Sequence, residues 1–185
     1  MTLRNPEFII FTGPMFGSKT TRMLAAIDRY RYQNKRIAAF KPQIDKRYSV
    51  SSIKTHSGGG IPAICVETGD DIVKNVHLSV DVVAVDEAFM IPSVSKALIK
   101  LFQNGHTVVV SSLQLSAAGN VFEEMRDMMP WATKIEICPA VCPVCGSDAY
   151  YTQHKVEELD EIAVGGAELY VPRCWTHYNN KNKEQ

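Results

Sequence analysis

One segment near the start of the chain constrains the fold more than any other. Residues 13–20 read Gly-Pro-Met-Phe-Gly-Ser-Lys-Thr; they follow an apolar run at residues 8–11 and precede a segment with apolar residues at helical spacing. A strand, a glycine-rich turn and a helix in this order are typical of a phosphate-binding loop, in which backbone N–H groups and the helix N-terminus face a phosphate. The sequence therefore predicts a βαβ unit with a phosphate site at its first turn.

This loop departs from the usual pattern at one pair of positions. In G-x-x-x-x-G-K-S/T the second glycine directly precedes the lysine, whereas here Gly17 precedes Ser18. The lysine and the hydroxyl that contact phosphate and Mg²⁺ are kept as Lys19 and Thr20. A glycine-rich turn before an ordinary helix is the alternative interpretation, and other residues must decide between the two.

Two acidic residues follow a second apolar run. Asp86 and Glu87 come directly after residues 82–85, whose continuous apolar character is typical of a strand buried in a parallel sheet. Such sheets bind ligands outside the carboxyl ends of their strands, so these carboxylates are expected near the loop. Asp86 is then a candidate Mg²⁺ ligand together with Thr20, and Glu87 a candidate general base. Without the loop, a solvated strand end would be the better interpretation.

Strand and helix signals alternate through the first three quarters of the chain. Apolar runs predict strands at residues 8–11, 35–41, 61–66, 82–86, 107–113 and 133–137, and helical spacing predicts helices at residues 21–33, 70–78, 92–104 and 121–128. This alternation is typical of an α/β fold with a mainly parallel sheet flanked by helices. We expect this P-loop NTPase-like domain over residues 1–137, a small zinc-binding domain over residues 138–178 and a polar tail over residues 179–185.

The cysteines predict a metal site in the last third of the chain. Cys142 and Cys145 form one pair with two intervening residues, and Cys174 and His177 form another. Three thiolates and one imidazole at this spacing suit a tetrahedral Zn²⁺ with no open position, so a structural role is expected. Cys138 is an additional thiol that is expected to be a buried small hydrophobe.

Composition favours a small-molecule ligand. The 185 residues are 45% hydrophobic and 22% charged, which suits one well-buried core with a small annex. Twenty basic and twenty acidic residues give a formal net charge of zero, so neither a nucleic-acid nor a membrane surface is expected. No apolar stretch approaches the roughly 20 residues of a membrane span, and no signal segment is recognisable. We expect a cytoplasmic protein.

Several further motifs together resemble one family, the cytosolic-type (type II) thymidine kinases. They are GPMF at residues 13–16, KPQIDKRY at 41–48, Thr-His-Ser at 55–57, VDEA at 85–88, the segment 119–122 and VGGA at 164–167 with the two cysteine pairs. Each motif is weak alone, but their order and spacing match over residues 8–178. The chain is therefore similar to this family along nearly its whole length.

The resemblance implies transfer of the γ-phosphoryl group of ATP to the 5′-hydroxyl of thymidine or a related pyrimidine deoxynucleoside, for nucleotide salvage and DNA precursor synthesis. It gives catalytic roles to Lys19, which neutralises phosphate, to Arg47, which lies near the transferred group, and to Glu87, which takes the hydroxyl proton. The implied ATP–Mg²⁺ ligands are Gly13, Pro14, Met15, Phe16, Gly17, Ser18, Lys19, Thr20 and Asp86. Of these, Thr20 and Asp86 would hold the ion.

The resemblance also implies a nucleoside site and an assembly. In the family, the segment between the two zinc-ligand pairs forms a lasso that closes over the nucleoside and grips the base largely through backbone hydrogen bonds. The matching substrate-binding residues are Met15, Asp45, Phe122, Thr152, Ala163, Val164, Gly165, Gly166 and Tyr170. For Met15 and Phe122, plain core packing is an open alternative. The family's homotetramer is the expected assembly, with a nucleoside and ATP as the small-molecule partners.

Three positions depart from the family. Phe89 stands where the family usually has glutamine, and Gln114 and Ala117 stand where it has an aspartate and a phenylalanine. With the exchanged loop pair, these changes motivate an alternative: a catalytically impaired relative that binds nucleotide or acts as a scaffold. Retention of the five implied catalytic and Mg²⁺-binding residues argues against it. A zinc-ribbon nucleic-acid binder is disfavoured by the neutral charge.

Overall fold

A computed structural model describes residues 5–45, 51–54, 59–155 and 164–179. In chain order, the first eight strands are β1 (Phe8–Thr12), β2 (Ile37–Pro42), β3 (Ser52–Lys54), β4 (Gly60–Pro62), β5 (Ile64–Val66), β6 (Val82–Val85), β7 (Thr107–Ser112) and β8 (Lys134–Ile137). Six of them form one sheet in the order β5-β2-β6-β7-β1-β8, and every pair in it is parallel. The predicted α/β fold with a parallel sheet is confirmed.

Helices cover both faces of this sheet. They are α1 (Lys19–Tyr32), α2 (Gly69–Asn75), α3 (Val94–Gln103) and α4 (Glu123–Met128). On one face, Met23 and Ile27 of α1 pack with Phe11 and Val109 of the sheet. On the other face, the larger cluster joins side chains of β6 and β7 to α2, α3 and α4. None of the helices within the described part of the chain is long and apolar enough to cross a membrane.

The predicted strand at residues 61–66 is wrong in one respect, because the structure divides it in two. β4 pairs antiparallel with β3 as a hairpin, whereas β5 joins the edge of the main sheet beside β2. The division falls after Pro62, which has no N–H to donate to a ladder. A single apolar run therefore serves two sheets.

Helix α3 begins two residues later than predicted. Ser93 adopts a left-handed conformation with φ 61°, so the helix starts at Val94 and not at Pro92. The N–H groups of Ser93 and Ser95 donate to the two carboxylate oxygens of Glu124, at 2.6 and 2.8 Å. A side chain of α4 thus satisfies donors that a helix N-terminus leaves unpaired.

The C-terminal module, residues 138–179, is built from much smaller elements. These are β9 (Ala140–Val141), β10 (Asp148–Ala149), β11 (Tyr151–His154), β12 (Tyr170–Arg173) and α5 (Trp175–Asn179). β9 pairs with β10 and β11 pairs with β12, each as a two-stranded antiparallel sheet. The predicted domain boundary at residues 137 and 138 stays a prediction.

Candidate active site and metal centre

The phosphate loop joins β1 to α1, and the two residues of its exchanged pair, Gly17 and Ser18, have different structural roles. Ser18 adopts the left-handed conformation, with φ 57° and ψ 25°, and directly precedes α1. Gly17 instead lies against the backbone of Cys138, where an added Cβ would come within 2.2 Å of the Cys138 carbonyl oxygen. Gly17 is therefore required for close approach, while Ser18 carries the strain of a left-handed residue, about 1–2 kcal/mol.

The carbonyl of Cys138 also lies against the start of the loop. A Cβ at Gly13, whose φ is 141°, would lie 2.3 Å from the Cys138 oxygen. Cys138 is fully buried, as predicted, and its N–H donates to the carbonyl of Thr12 at 2.7 Å. The backbone that follows β8 thus supports both glycines of the loop. The sequence offered no signal for this contact, because it is made by main-chain atoms.

Lys19 lies inside the loop that precedes it. Its side chain is 7% exposed, and its ammonium group donates to the carbonyl of Pro14 at 2.6 Å. This places a positive charge within the curve of the loop, where a phosphate oxygen can compete for the same donor. The position suits the predicted role of Lys19 in phosphate neutralisation.

Thr20 and Asp86 meet, although they belong to distant parts of the sequence. The Thr20 hydroxyl donates to the two carboxylate oxygens of Asp86, at 3.0 and 3.3 Å. Burial, together with the neighbouring charge of Glu87, raises the pKa of Asp86 to about 7, and Ser111, Thr20 and Lys19 oppose that rise. A hydroxyl and a carboxylate are hard oxygen ligands of the kind Mg²⁺ takes, so this pair fits the ion.

Glu87 lies on a strained turn. It follows β6 and precedes a short 3₁₀ helix, Ala88–Met90, with φ 50° and ψ 43°. A left-handed conformation is unusual for glutamate, and such residues concentrate at functional sites because the surrounding structure must hold them. The turn places Glu87 at the carboxyl edge of the sheet next to Asp86, as the sequence predicts for a general base.

The C-terminal module contacts the phosphate loop directly. The N–H of Met15 donates to the hydroxyl of Thr152 on β11 at 3.0 Å, and Thr152 is buried. The module also contacts the loop that follows β7, because the hydroxyl of Tyr178 on α5 donates to the carbonyl of Ala117 at 3.3 Å. Two predicted site residues that are 137 positions apart are thus brought together.

Phe122 packs against Phe89, one of the three positions that depart from the expected family pattern. The ring centroids of Phe89 and Phe122 lie 4.6 Å apart, and both rings are buried in the large core cluster, with Met15 packed against it. Core packing is therefore real for Met15 and Phe122. Gln114 accepts a hydrogen bond from Thr12 at 3.1 Å, which ties the loop after β7 to the end of β1.

Other predicted substrate-binding residues are divided between the main α/β domain and the C-terminal module. Asp45 is buried after β2, and Tyr170 is buried at the start of β12, where its ring meets His154 edge-on at 5.2 Å. Val164, Gly165 and Gly166 lie on the segment that leads to β12. Arg47, Ala163 and the motif at residues 55–57 lie outside the described residues, as does most of the predicted tail.

The predicted metal ligands converge on one point. The ligand atoms of Cys142, Cys145, Cys174 and His177 all lie within 4.8 Å of one another. The Cys145 and Cys174 sulfurs are 3.7 Å apart, and the Cys142 and Cys174 sulfurs lie 3.6 and 3.2 Å from Nδ1 of His177. A tetrahedron with Zn–S bonds of about 2.3 Å has edges of about 3.8 Å, so the spacing fits zinc.

The electrostatics of this cluster favour a thiolate. Backbone N–H groups, first that of Cys174 and then those of Val144 and Cys145, lower the pKa of Cys142, although burial opposes the shift. A deprotonated sulfur is the form that binds metal. Cys138 is not part of the cluster; its thiol lies 3.6 Å from the carbonyl of Glu136, and burial raises its pKa.

Fold and site together define a phosphate-loop α/β protein with an accessory Cys₃His metal module. The sequence model described as thymidine kinase matches residues 7–178. The chain is 35% identical over 175 residues to a protein named thymidine kinase from Pseudothermotoga lettingae, covering 94% of this chain and 95% of the relative. It is 32% identical over 179 residues to one from Pyrobaculum aerophilum, covering 92% and 97%. The chain belongs to the thymidine kinase family.

Proposed function

We propose that this chain transfers the γ-phosphoryl group of ATP to the 5′-hydroxyl of thymidine. The observation that carries the proposal is the contact between Thr20 and Asp86, with Lys19 inside the loop and Glu87 at the neighbouring strand end. These four side chains supply the charge neutralisation and the positioning that phosphoryl transfer needs. Membership of the thymidine kinase family supports thymidine as the acceptor and ATP as the donor.

The proposed roles of the loop follow from its contacts. Lys19 exchanges the Pro14 carbonyl for phosphate oxygens, and backbone N–H groups at the start of α1 bind the remaining oxygens, while the Met15 N–H stays with Thr152. Thr20 and Asp86 hold Mg²⁺, which when bound neutralises charge on the β- and γ-phosphates. Asp86 performs this role as a carboxylate, so metal binding below pH 7 displaces a proton from it.

Glu87 is the proposed general base. Its left-handed turn fixes the carboxylate beside Asp86, at the sheet edge where an acceptor hydroxyl must lie to reach the γ-phosphate. Arg47, by the family pattern, stabilises the transferred group, with Asp45 ordering that part of the site. In this proposal one cation and one base act on the transfer of the phosphoryl group.

The C-terminal module is proposed to bind the nucleoside. Thr152 contacts the phosphate loop through Met15, so the module closes against the loop where the acceptor enters. Ala163, Val164, Gly165, Gly166 and Tyr170 grip the base, while Met15 and Phe122 line its pocket. Zinc at the Cys₃His cluster is structural, because four protein ligands leave no position for a substrate.

Two further proposals come from the family resemblance: a homotetrameric assembly and a cytoplasmic location. The impaired-relative alternative is not favoured. Its main sequence argument was the exchanged loop pair, and Ser18 supplies the left-handed conformation without displacing Lys19 or Thr20. The family match over most of the chain also argues for an active phosphotransferase.

A transfer assay tests this function. Zinc-loaded protein is incubated with γ-labelled ATP, Mg²⁺ and a panel of deoxynucleosides, and labelled nucleoside monophosphates are separated. We expect label in thymidine monophosphate, less in other pyrimidine products and none in purine products. Label in no pyrimidine nucleoside would overturn the proposed function.

A further inference from the structure

Ser111 lies beside Asp86 in the main sheet but has no role in the function derived so far. It is on β7, the strand between β1 and β6 in the sheet. Ser111 is opposite Phe11 on one side, and on the other Val110 is opposite Val85, which places Ser111 beside Asp86. Because side chains alternate along a strand, Ser111 shares the α1 face of the sheet with Phe11 and Asp86.

The Ser111 hydroxyl is buried and has no hydrogen-bond partner. Its side chain is 0% exposed, and of the buried side-chain nitrogen and oxygen atoms in the described ranges, only Ser111 Oγ lacks a partner. Its neighbour Ser112 differs, since the Ser112 hydroxyl accepts the N–H of Phe89 at 3.1 Å and donates to the Leu113 carbonyl at 3.3 Å. An unpaired buried hydroxyl is destabilising. A functional reason for it would be a ligand-bound state of the protein in which the hydroxyl makes a hydrogen bond.

The Asp86 carboxylate, beside Ser111 at the end of β6, is a group that can use this hydroxyl. Burial and Glu87 raise the pKa of Asp86, and the approach of the Ser111 hydroxyl, without reaching hydrogen-bond geometry, acts in the opposite direction. At present Thr20 donates to both Asp86 oxygens. Rotation about the Cα–Cβ bond moves the serine oxygen between staggered positions, so Ser111 can become the second donor without backbone movement.

We propose that Ser111 is a positioning residue for the magnesium site, whose hydroxyl donates to Asp86 once Thr20 turns its oxygen to the ion. This inference rests on the proposed function, specifically on Thr20 and Asp86 as metal ligands. In the metal-free protein the hydroxyl is a cost to stability, and in the metal-bound protein it holds the carboxylate in its binding orientation. Ser111 thus lowers the stability of the metal-free protein and raises the nucleotide affinity of the metal-bound protein.

Calorimetry on the zinc-loaded full chain tests the proposal, with ATP titrated in Mg²⁺ and in a magnesium-free buffer. The magnesium ratio is the ATP dissociation constant without magnesium divided by the one with magnesium. For Ser111→Ala we expect this ratio to fall about tenfold, because a hydrogen bond to a charged group is lost. Affinity without magnesium should be unchanged. The ligand-free variant should melt about 2–4 °C higher than wild type. Ser111→Thr keeps the hydroxyl and should keep most of the ratio.

Ser112→Ala is the matched control. It removes a hydroxyl that already has partners, so it should lower the melting temperature and leave the magnesium ratio unchanged. A wild-type ratio in Ser111→Ala overturns the role of Ser111 and leaves the proposed function standing. An equal fall in Ser111→Ala and Ser111→Thr also overturns it, because the effect is then steric. If wild type gains no ATP affinity from magnesium, the metal site fails and the inference fails with it.

Discussion

The phosphate loop and the C-terminal module obtain their shapes in different ways. The loop connects two elements whose side chains are packed into an extensive buried cluster, and it carries left-handed residues at Phe16 and Ser18. Among the described residues, the module's own buried cluster consists of Ala140, Cys142 and Ala149, with Cys174 packed against it. Its strands are two to four residues long.

This difference shows what each region can tolerate. Strained backbone persists where a large core over-determines it, as in the loop. A segment that buries so little apolar surface cannot offset its conformational entropy, and a metal must supply the missing free energy. The two regions nevertheless meet at Met15 and Thr152, where a side chain of the module accepts an N–H group of the strained loop.

The largest expected effect comes from removing the metal. Because a structural zinc contributes about 10–16 kcal/mol to the folding of small metal domains, Cys174→Ser should lose zinc and unfold the C-terminal module. Hydrogen exchange should show lost protection in β11 and β12, with protection kept in β1 and β7. Cys65→Ser, outside the ligand cluster, is the control and should keep one zinc per chain. A Cys174→Ser protein with normal zinc content and normal protection would contradict the comparison.

A second large effect is expected at the loop side of the site. Glu87→Gln should reduce turnover by about 10²- to 10⁴-fold, as loss of a general base does, while ATP affinity is largely kept. Steady-state kinetics and calorimetry measure the two quantities. Glu123→Gln, which changes an exposed glutamate paired with Arg126, is the control and should leave turnover unchanged. Unchanged turnover in Glu87→Gln would remove Glu87 from this role.

The buried carboxylate of Asp86 gives a pH-dependent effect. Its pKa is raised from 3.8 to about 7 in the folded protein, so folded protein keeps a proton that unfolded chain releases between these values. Its contribution to stability is present below pH 4 and lost as pH rises through 7. Denaturation of nucleotide-free protein should show wild type losing about 2–3 kcal/mol more than Asp86→Asn between pH 5 and 8. Equal losses of unfolding free energy in the two proteins would show that ionisation of Asp86 does not destabilise the fold.

The smallest effects concern the exchanged pair. Gly17→Ala should destabilise the protein by about 1–3 kcal/mol, because its Cβ would meet the Cys138 carbonyl. Ser18→Gly should stabilise it by up to about 1 kcal/mol, since the Ser18 side chain makes no capping hydrogen bond and its left-handed strain is relieved. Chemical denaturation measures both. Stabilisation by Gly17→Ala would contradict the close approach assigned to Gly17. A clear loss of stability in Ser18→Gly would contradict the strain assigned to Ser18.

The sequence predicted the sheet and the metal cluster because both depend on local signals. Continuous apolar runs gave β6 and β7, and the paired spacing of cysteines gave the Cys₃His ligands. The proximity of Thr20 and Asp86 was also predictable, because strand ends of one parallel sheet meet at the same edge.

Contacts made by main-chain atoms or by distant side chains could not be predicted. The support that the Cys138 carbonyl gives to Gly17 leaves no trace in residue type at either position. Glu124 caps α3 from another helix, so the sequence around Ser93 does not predict its left-handed conformation. Ser111 looked like an ordinary strand residue, because its importance depends on a hydrogen bond that it does not make.

The most direct test of the account is phosphate transfer to thymidine by zinc-loaded protein and by protein stripped of zinc. We predict that zinc-loaded protein phosphorylates the 5′-hydroxyl, and that stripped protein retains ATP binding at the loop but loses thymidine turnover and recovers it when zinc is restored. Turnover that is indifferent to zinc would contradict the proposed role of the zinc-ordered C-terminal module in binding the nucleoside. Absence of transfer by the zinc-loaded protein would contradict the proposed function itself.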